Sequence, residues 1–405
     1  MVSAMPTKSL PALLPGEPVE LVAYLALLVS VGAIQFSIVA GEAAFVIMLL
    51  AWALLLWTGR KRAEAPPTFW PLLAYAAFSL ISVATSLDPH ASLFSAKQLG
   101  LFLIVPAVYS LAPGRRASRV LNLTITVGAI SAILGVAQYG IFQYDTLGRR
   151  PLGSLGHYMT YSGLLMLVIC ATVARLLFER RDRVWPALVL PAMVAAVALS
   201  LTRSAWVGTC AGVAALLLMK DFRLVAVLPV VAAATLALSP AGVTDRVYSM
   251  FNMQDETSRD RVAMLKAGMG IIRQHPLTGV GPSMVQQLYP VYRTPDAVKP
   301  VQPHLHNVPL QIAAERGLPA LAAWIWFVAV VVVQLARRLR NATRPFLTAA
   351  GLGAVAAMLA AGLFEHNFGD SEFLLLFLAM VTLPLAAERD DAASRPTPLE
   401  EADDR

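Results

Sequence analysis

The sequence predicts an all-α polytopic membrane protein with about twelve transmembrane helices and a large helical periplasmic segment, for three reasons. Of 405 residues, 57% are hydrophobic and only 14% charged, where soluble domains carry about 25%. The mean hydropathy is +0.64. The apolar runs are long and unbroken, with none of the short alternating segments that mark a membrane barrel. Lipid offers no hydrogen bonds to the backbone, so runs near the roughly 20 residues needed to cross must be helices.

In chain order the candidate spans run over about 19–38, 41–58, 67–87, 92–112, 120–142, 158–178, 185–201, 204–219, 224–240, 318–336, 346–364 and 372–387. Alternate gaps hold Arg60-Lys61-Arg62, Arg115-Arg116 with Arg119, Arg180-Arg181 with Arg183, Lys220 with Arg223, and Arg337-Arg338 with Arg340. Short cytoplasmic loops gather Lys and Arg, so these clusters define one side and put both termini there. The net charge of +7 therefore reflects topology and lipid headgroups, and no nucleic-acid partner is expected. The start, MVSAMPTKSLPALLPGEPVE, has no compact apolar core followed by a small-residue site, so no cleavable secretory signal is expected. The chain divides into a cytoplasmic tail (1–18), nine helices (19–240), a periplasmic segment (241–317), three helices (318–387) and a polar, acidic cytoplasmic tail (388–405). In a bacterial inner membrane the face opposite the basic clusters is the periplasm. Cys170 and Cys210 lie within apolar runs and read as packing residues.

Two helices are expected within the long segment. The first spans about 258–275, with Asp255, Thr257 or Ser258 as its cap and Pro276 just past its end. Val262, Leu265, Met269 and Ile272 recur at helical spacing and form its apolar stripe. PLTGVGPS then reads as a tight turn that needs the freedom of Gly279 and Gly281. The second spans about 308–316, with Asn307 as N-cap, Pro309 in the first turn and Gly317 after the last.

The outward face carries the candidate chemistry. His304 and His306 are two of only six histidines. As a pair they admit three readings: hydrogen-bonded loop residues, two zinc ligands, or a general base. A structural zinc site needs four ligands and a catalytic one usually three, and no third stands out nearby in sequence. A histidine at a helix start is well placed to take a proton from a hydroxyl. Arg203, in LSLTRSAWVG, sits between two apolar runs, as either an interfacial anchor or a functional cation. Arg259 and Arg261 open the first periplasmic helix, where cations oppose the macrodipole and call for an anionic partner. Asp255, Glu256 and Asp260 are local candidates for that partner; a ligand phosphate, gripped by guanidinium forks, is the other. Arg149 and Arg150 are further outer-face cations. Asp370 and Glu372, in EHNFGDSE, read as a polar loop or as a divalent-metal pair. The chain contains no outer-face Asp-x-Asp, Walker loop, nucleophile elbow or HExxH. These residues suit an anionic, lipid-linked substrate and a proton transfer, and leave the reaction unnamed.

Three stretches resemble the O-antigen ligase and polymerase superfamily. HNVPLQIAAERGLPALAAW is similar to its His-Asn…Glu-x-Gly block, SRDRVAMLKAGMGIIRQHPLTGVG to its Arg…Pro-Leu-x-Gly-x-Gly block, and LTRSAWVG to its Thr-Arg-Ser turn. They occur in the family's order; Met264 or Leu265 stands where the family often has a bulky aromatic. The resemblance implies a GT-C-like fold and inverting, metal-independent glycan transfer, without cofactor, from an undecaprenyl diphosphate carrier. In ligases the acceptor is a sugar hydroxyl of lipid A-core. By this matching His306 is the catalytic base, and Arg203 and Arg261 hold the diphosphate. Arg259, Arg150, His304 and Asn307 are expected around the substrate, with no metal. A polymerase or a protein O-oligosaccharyltransferase would share the motifs. A glycolipid transporter is the rival from another class, disfavoured because the chain has no internal repeat.

Overall fold

The computed structural model describes residues 17–251 and 256–393. Asp255 and most of both tails lie outside the described residues. The described chain is helical, without a strand. In order come α1 (Pro18–Ala33), α2 (Ile38–Trp57), α3 (Phe69–Ala84) and α4 (Pro89–Ala96), which continues through a 3-10 stretch into α5 (Ile104–Leu111). Then follow α6 (Arg115–Gly140), α7 (Tyr158–Phe178), α8 (Val184–Leu199), α9 (Arg203–Lys220), α10 (Val227–Ala237), α11 (Ala241–Tyr248) and α12 (Glu256–Gln274). The chain ends with α13 (Val285–Tyr292), α14 (Val308–Leu339), α15 (Pro345–Gly362) and α16 (Ser371–Ala393). Each predicted apolar run is helical. Seven helical stretches among the described residues are long and apolar enough to cross a membrane: α2, α4–α5, α6, α7, α14, α15 and α16. Four shorter apolar helical stretches accompany them. The chain is thus a polytopic membrane protein.

The interior is built around α7, which is buried over most of its length. On α9, Gly208 and Gly212 let the backbone press against α15. A Cβ at Gly208 would lie 2.8 Å from the Ala357 carbonyl oxygen, and one at Gly212 2.9 Å from that of Gly353. Such small-residue faces replace hydrophobic drive as the source of helix packing in lipid. Pairing α9 with α15 matters for the site, because Arg203 opens α9 and the chain leaves α15 towards Glu365.

The basic clusters gather at one end of the bundle. Arg60 pairs with Glu17, Lys61 and Arg116 with Glu20, Arg338 with Glu388, and Arg389 with Glu64. Since α14 runs from Asn307 towards Arg338, and α15 from Arg344 towards Glu365, the histidines lie at the other end.

α14 is two helices meeting at Gly317, whose φ of 81° and ψ of 169° are non-helical. Asn307 caps its start as the sequence predicts, accepting the Leu310 N–H at 2.9 Å. The break exposes the Ala314 and Glu315 carbonyls, and the turn after α12 satisfies them. The Val280 N–H donates to the first at 3.0 Å and the Gly281 N–H to the second at 2.9 Å. A Cβ on Gly279 would lie 2.3 Å from the Glu315 carbonyl carbon, and one on Gly317 2.1 Å from the Leu277 oxygen. The two glycine-bearing motifs are thus the two halves of one joint.

The structure corrects the reading of α12 in two respects. Thr257 and Ser258 lie inside the helix, which already runs from Glu256, so neither caps it. Its buried face is also rotated from the predicted stripe: Asp260, Ala263, Met264, Ala267, Gly268 and Ile271 are buried, while Val262, Leu265 and Met269 are exposed. At Gly268 the inner face has no room for a side chain, because Leu305 and Leu310 press against it and a Cβ would lie 2.8 Å from each.

Candidate active site

Several segments converge at the end away from the basic clusters, among them α11 with Arg246. The others are the loop before α7, the start of α9, the first turns of α12, the 298–306 loop and the α15–α16 connection. Between them lies a cavity of about 280 Å³ lined by Arg150, Arg203, Arg246, Arg261, Lys299, His306 and Glu365. Glu256 and Asp260 also line it, so its five Arg and Lys side chains outnumber three carboxylates, and the guanidinium fork suits phosphate oxygens.

Arg203 is 5% exposed and opens α9, with its Nη2 donating to Ser249 Oγ. Just before it Leu201 has a φ of 54°, so the chain makes a sharp left-handed turn into the helix. Arg261 donates to the Phe364 carbonyl at 3.2 Å and lies over the Phe364 ring, 5.5 Å from its centroid. That contact ties α12 to the α15–α16 connection. Arg150 stacks 4.0 Å over Tyr158, and its Nε donates to the Leu147 carbonyl.

Arg259 goes elsewhere. It donates to the Asp296 carbonyl at 3.2 Å and does not line the cavity. Asp260, a candidate anionic partner for the arginines, instead accepts the Val298 and Lys299 N–H groups at 2.8 and 3.1 Å. It anchors the loop that delivers the histidines.

His306 has a φ of 47°, and left-handed backbone at a non-glycine residue costs about 1–3 kcal/mol. Its neighbours hold it there. Leu305 is buried with its N–H on Gln311 Oε1 at 2.7 Å, and Asn307 caps α14 while donating to the Leu363 carbonyl at 3.1 Å. The ring meets a partner that sequence reasoning missed: His306 Nδ1 lies 3.0 Å from Glu365 Oε2. With Nδ1–H donated to the carboxylate, Nε2 carries the free lone pair. Burial alone would raise the Glu365 carboxyl. The hydrogen bond from His306 and the two imidazoles outweigh it and hold the group down at about 2.

His304 stacks against His306 with centroids 4.1 Å apart, and its Nε2 is 3.9 Å from Glu365 Oε1. Burial first, then the neighbouring His306, pushes His304 down to about 4, so it is neutral near pH 7. His366 is held well below its ordinary value by burial first, then by the neighbouring His304 and Arg316. A second cavity, of about 220 Å³, adjoins the first across Met159, Ser204 and Glu365 and is lined by His157, Thr160, His304, Asn367 and Asp370 among others.

The acidic pair of the last loop has a structural role in view: Asp370 accepts the Phe373 N–H at 3.0 Å and the Thr160 hydroxyl, while Glu372 is buried. Among the described residues the grouping of possible metal ligands is instead His304, His306 and Glu365. Glu365 did leave a trace in the sequence. It is a carboxylate at the end of an apolar run, followed by a second His-Asn pair, His366-Asn367.

Residues 187–325 match a family model described as O-antigen ligase. This match, over about a third of the chain, supports membership of the O-antigen ligase superfamily. No curated protein matches it. The O-antigen ligase match contains Arg203, Arg261, His304, His306 and the Gly279–Gly317 joint, while Arg150 and Glu365 lie outside it. Members of this superfamily are glycosyltransferase-like enzymes of O-antigen and lipopolysaccharide biosynthesis.

Proposed function

We propose that this protein is an O-antigen ligase. It transfers a polysaccharide from undecaprenyl diphosphate to a sugar hydroxyl of lipid A-core, by inverting, metal-independent glycosyl transfer. The observation that carries this reading is the His306–Glu365 pair set in the wall of an arginine-lined cavity. His306 Nε2 takes the acceptor hydroxyl proton as the oxygen bonds to the anomeric carbon. The bond from that carbon to the carrier phosphate breaks, and the diphosphate leaves with the electron pair. Arg203 and Arg261 hold it and stabilise the charge that develops; Arg150 and Arg246 add to the same field. Glu365 fixes the imidazole tautomer and stabilises the imidazolium.

The reading places about twelve helices across a bacterial inner membrane, in a GT-C-like arrangement with the site at the periplasmic face. Clustering of the basic loops at the opposite end supports that orientation. The test is lipopolysaccharide banding in a ligase-null Gram-negative host with matching core and O-antigen. Wild type is expected to restore the ladder, and His306→Ala at equal membrane expression to leave it absent. A ladder restored by His306→Ala would remove the histidine from the mechanism. No ladder from well-expressed wild type, with carrier-linked polymer still accumulating, would count for a polymerase or a transporter.

A further inference from the structure

We propose that His304, His306 and Glu365 form a binding site for a divalent transition-metal cation of the zinc class, and that the bound cation switches transfer off. The binding claim stands on geometry alone, and the switching claim rests on the role given above to His306.

The sequence offers only a pair of histidines two positions apart, too few for a metal. Folding supplies the third ligand from 59 positions further along. One donor atom from each residue lies within 4.8 Å of the others. Zinc holds nitrogen and oxygen ligands at about 2.0–2.2 Å in a tetrahedron, which sets ligand–ligand distances of about 3.3–3.6 Å. The observed separations bracket that value: 3.0 Å from His306 Nδ1 to Glu365 Oε2, and 3.9 Å from His304 Nε2 to Glu365 Oε1.

Three further features favour a cation. His304 Nδ1 is buried and has no hydrogen-bond partner, so no competing bond fixes that ring. The three side chains are 27%, 17% and 13% exposed, and between them they border both cavities, which gives an ion a way in. The two imidazoles and one carboxylate suit zinc, cobalt or nickel; magnesium and calcium prefer all-oxygen cages. Three protein ligands leave the fourth position to water.

Occupancy and catalysis use the same atoms. The ion takes His306 Nδ1 and the Glu365 carboxylate, so the hydrogen bond that orients the imidazole is lost. A dication on Nδ1 also opposes the positive charge that Nε2 would acquire on accepting a proton.

The test uses the full-length, detergent-purified protein, stripped with a chelator. ZnCl2 is titrated calorimetrically, and CoCl2 is followed by the visible absorption of four-coordinate cobalt. Saturable binding of one ion per chain is expected, with MgCl2 giving none. His304→Ala and Glu365→Gln, each checked for an intact thermal transition, are expected to weaken binding at least about tenfold. In a transfer assay zinc should inhibit in step with occupancy and a chelator should restore the rate. No saturable binding, or binding that survives both substitutions, overturns the site. A chelated enzyme that is inert until zinc is added overturns the switch. Because binding is read without turnover, a protein that binds zinc yet never transfers glycan would refute the ligase reading and leave the site standing.

Discussion

His306 Nδ1 and Glu365 Oε2 stand 3.0 Å apart although 59 positions separate them in the chain. One residue precedes α14 and the other follows α15, so the imidazole and its carboxylate partner are carried by the ends of two different helices. Glu365→Gln keeps the shape and removes the charge. Its turnover is expected to fall between about 10²- and 10⁴-fold, with donor affinity nearly unchanged. Steady-state rates at saturating donor, together with donor binding by the inactive protein, check this. A drop in affinity alone would move Glu365 from supporting the base to holding the donor.

The arginines should divide sharply. Arg203 and Arg261 line the cavity, and replacing either by alanine should cost about 10²–10³-fold in rate. Arg259 is only two residues from Arg261 but turns to the Asp296 carbonyl, so Arg259→Ala should change the rate by no more than about twofold. Transfer assays on the three variants at equal expression decide it.

Stability should fall with acid in a defined window. His304 titrates near 4 in the folded protein against 6.5 for a free imidazole. The unfolded chain therefore binds more protons between those values, and the folded state loses ground as pH drops through them. Glu365 acts lower: its contribution is present above the ordinary carboxyl value of 4.5 and is lost as pH falls towards about 2. Thermal midpoints of wild type should decline from pH 6.5 to 4, and those of His304→Gln should decline less. Parallel curves would remove His304 from the account.

Two glycines with similar backbone angles should respond differently. Gly317 and Gly156 have φ of 81° and 78°. A Cβ at Gly317 would meet the Leu277 oxygen at 2.1 Å, whereas nothing lies within 4 Å of one at Gly156. Gly156→Ala should carry only the conformational cost, about 1–3 kcal/mol, and Gly317→Ala clearly more. Thermal unfolding of the two variants in the same detergent measures the gap.

Much of this was legible in the sequence. Apolar run length located the helices, and local chemistry located the Asn307 cap and the break at Gly317, because each depends on residues close in the chain. The α12 stripe misled, since the inner face is set by the close approach of Leu305 and Leu310 to Gly268, a contact made by residues distant in the chain. Glu365 was missed because its role exists only once α14 and α15 stand side by side. Arg259 and Arg261 could not be separated by spacing, because the Asp296 loop that claims one of them comes 37 positions later.

The Gly279–Gly317 joint also restricts how this chain can vary. The Val280 and Gly281 N–H groups reach α14 carbonyls only with the present number of residues between Pro276 and Gly281. One residue more or fewer would shift that register and carry the start of α14, with His306 on it, away from Glu365. Lengthening this turn is therefore closed to the protein, and insertions would have to fall on loops that bear no part of the joint.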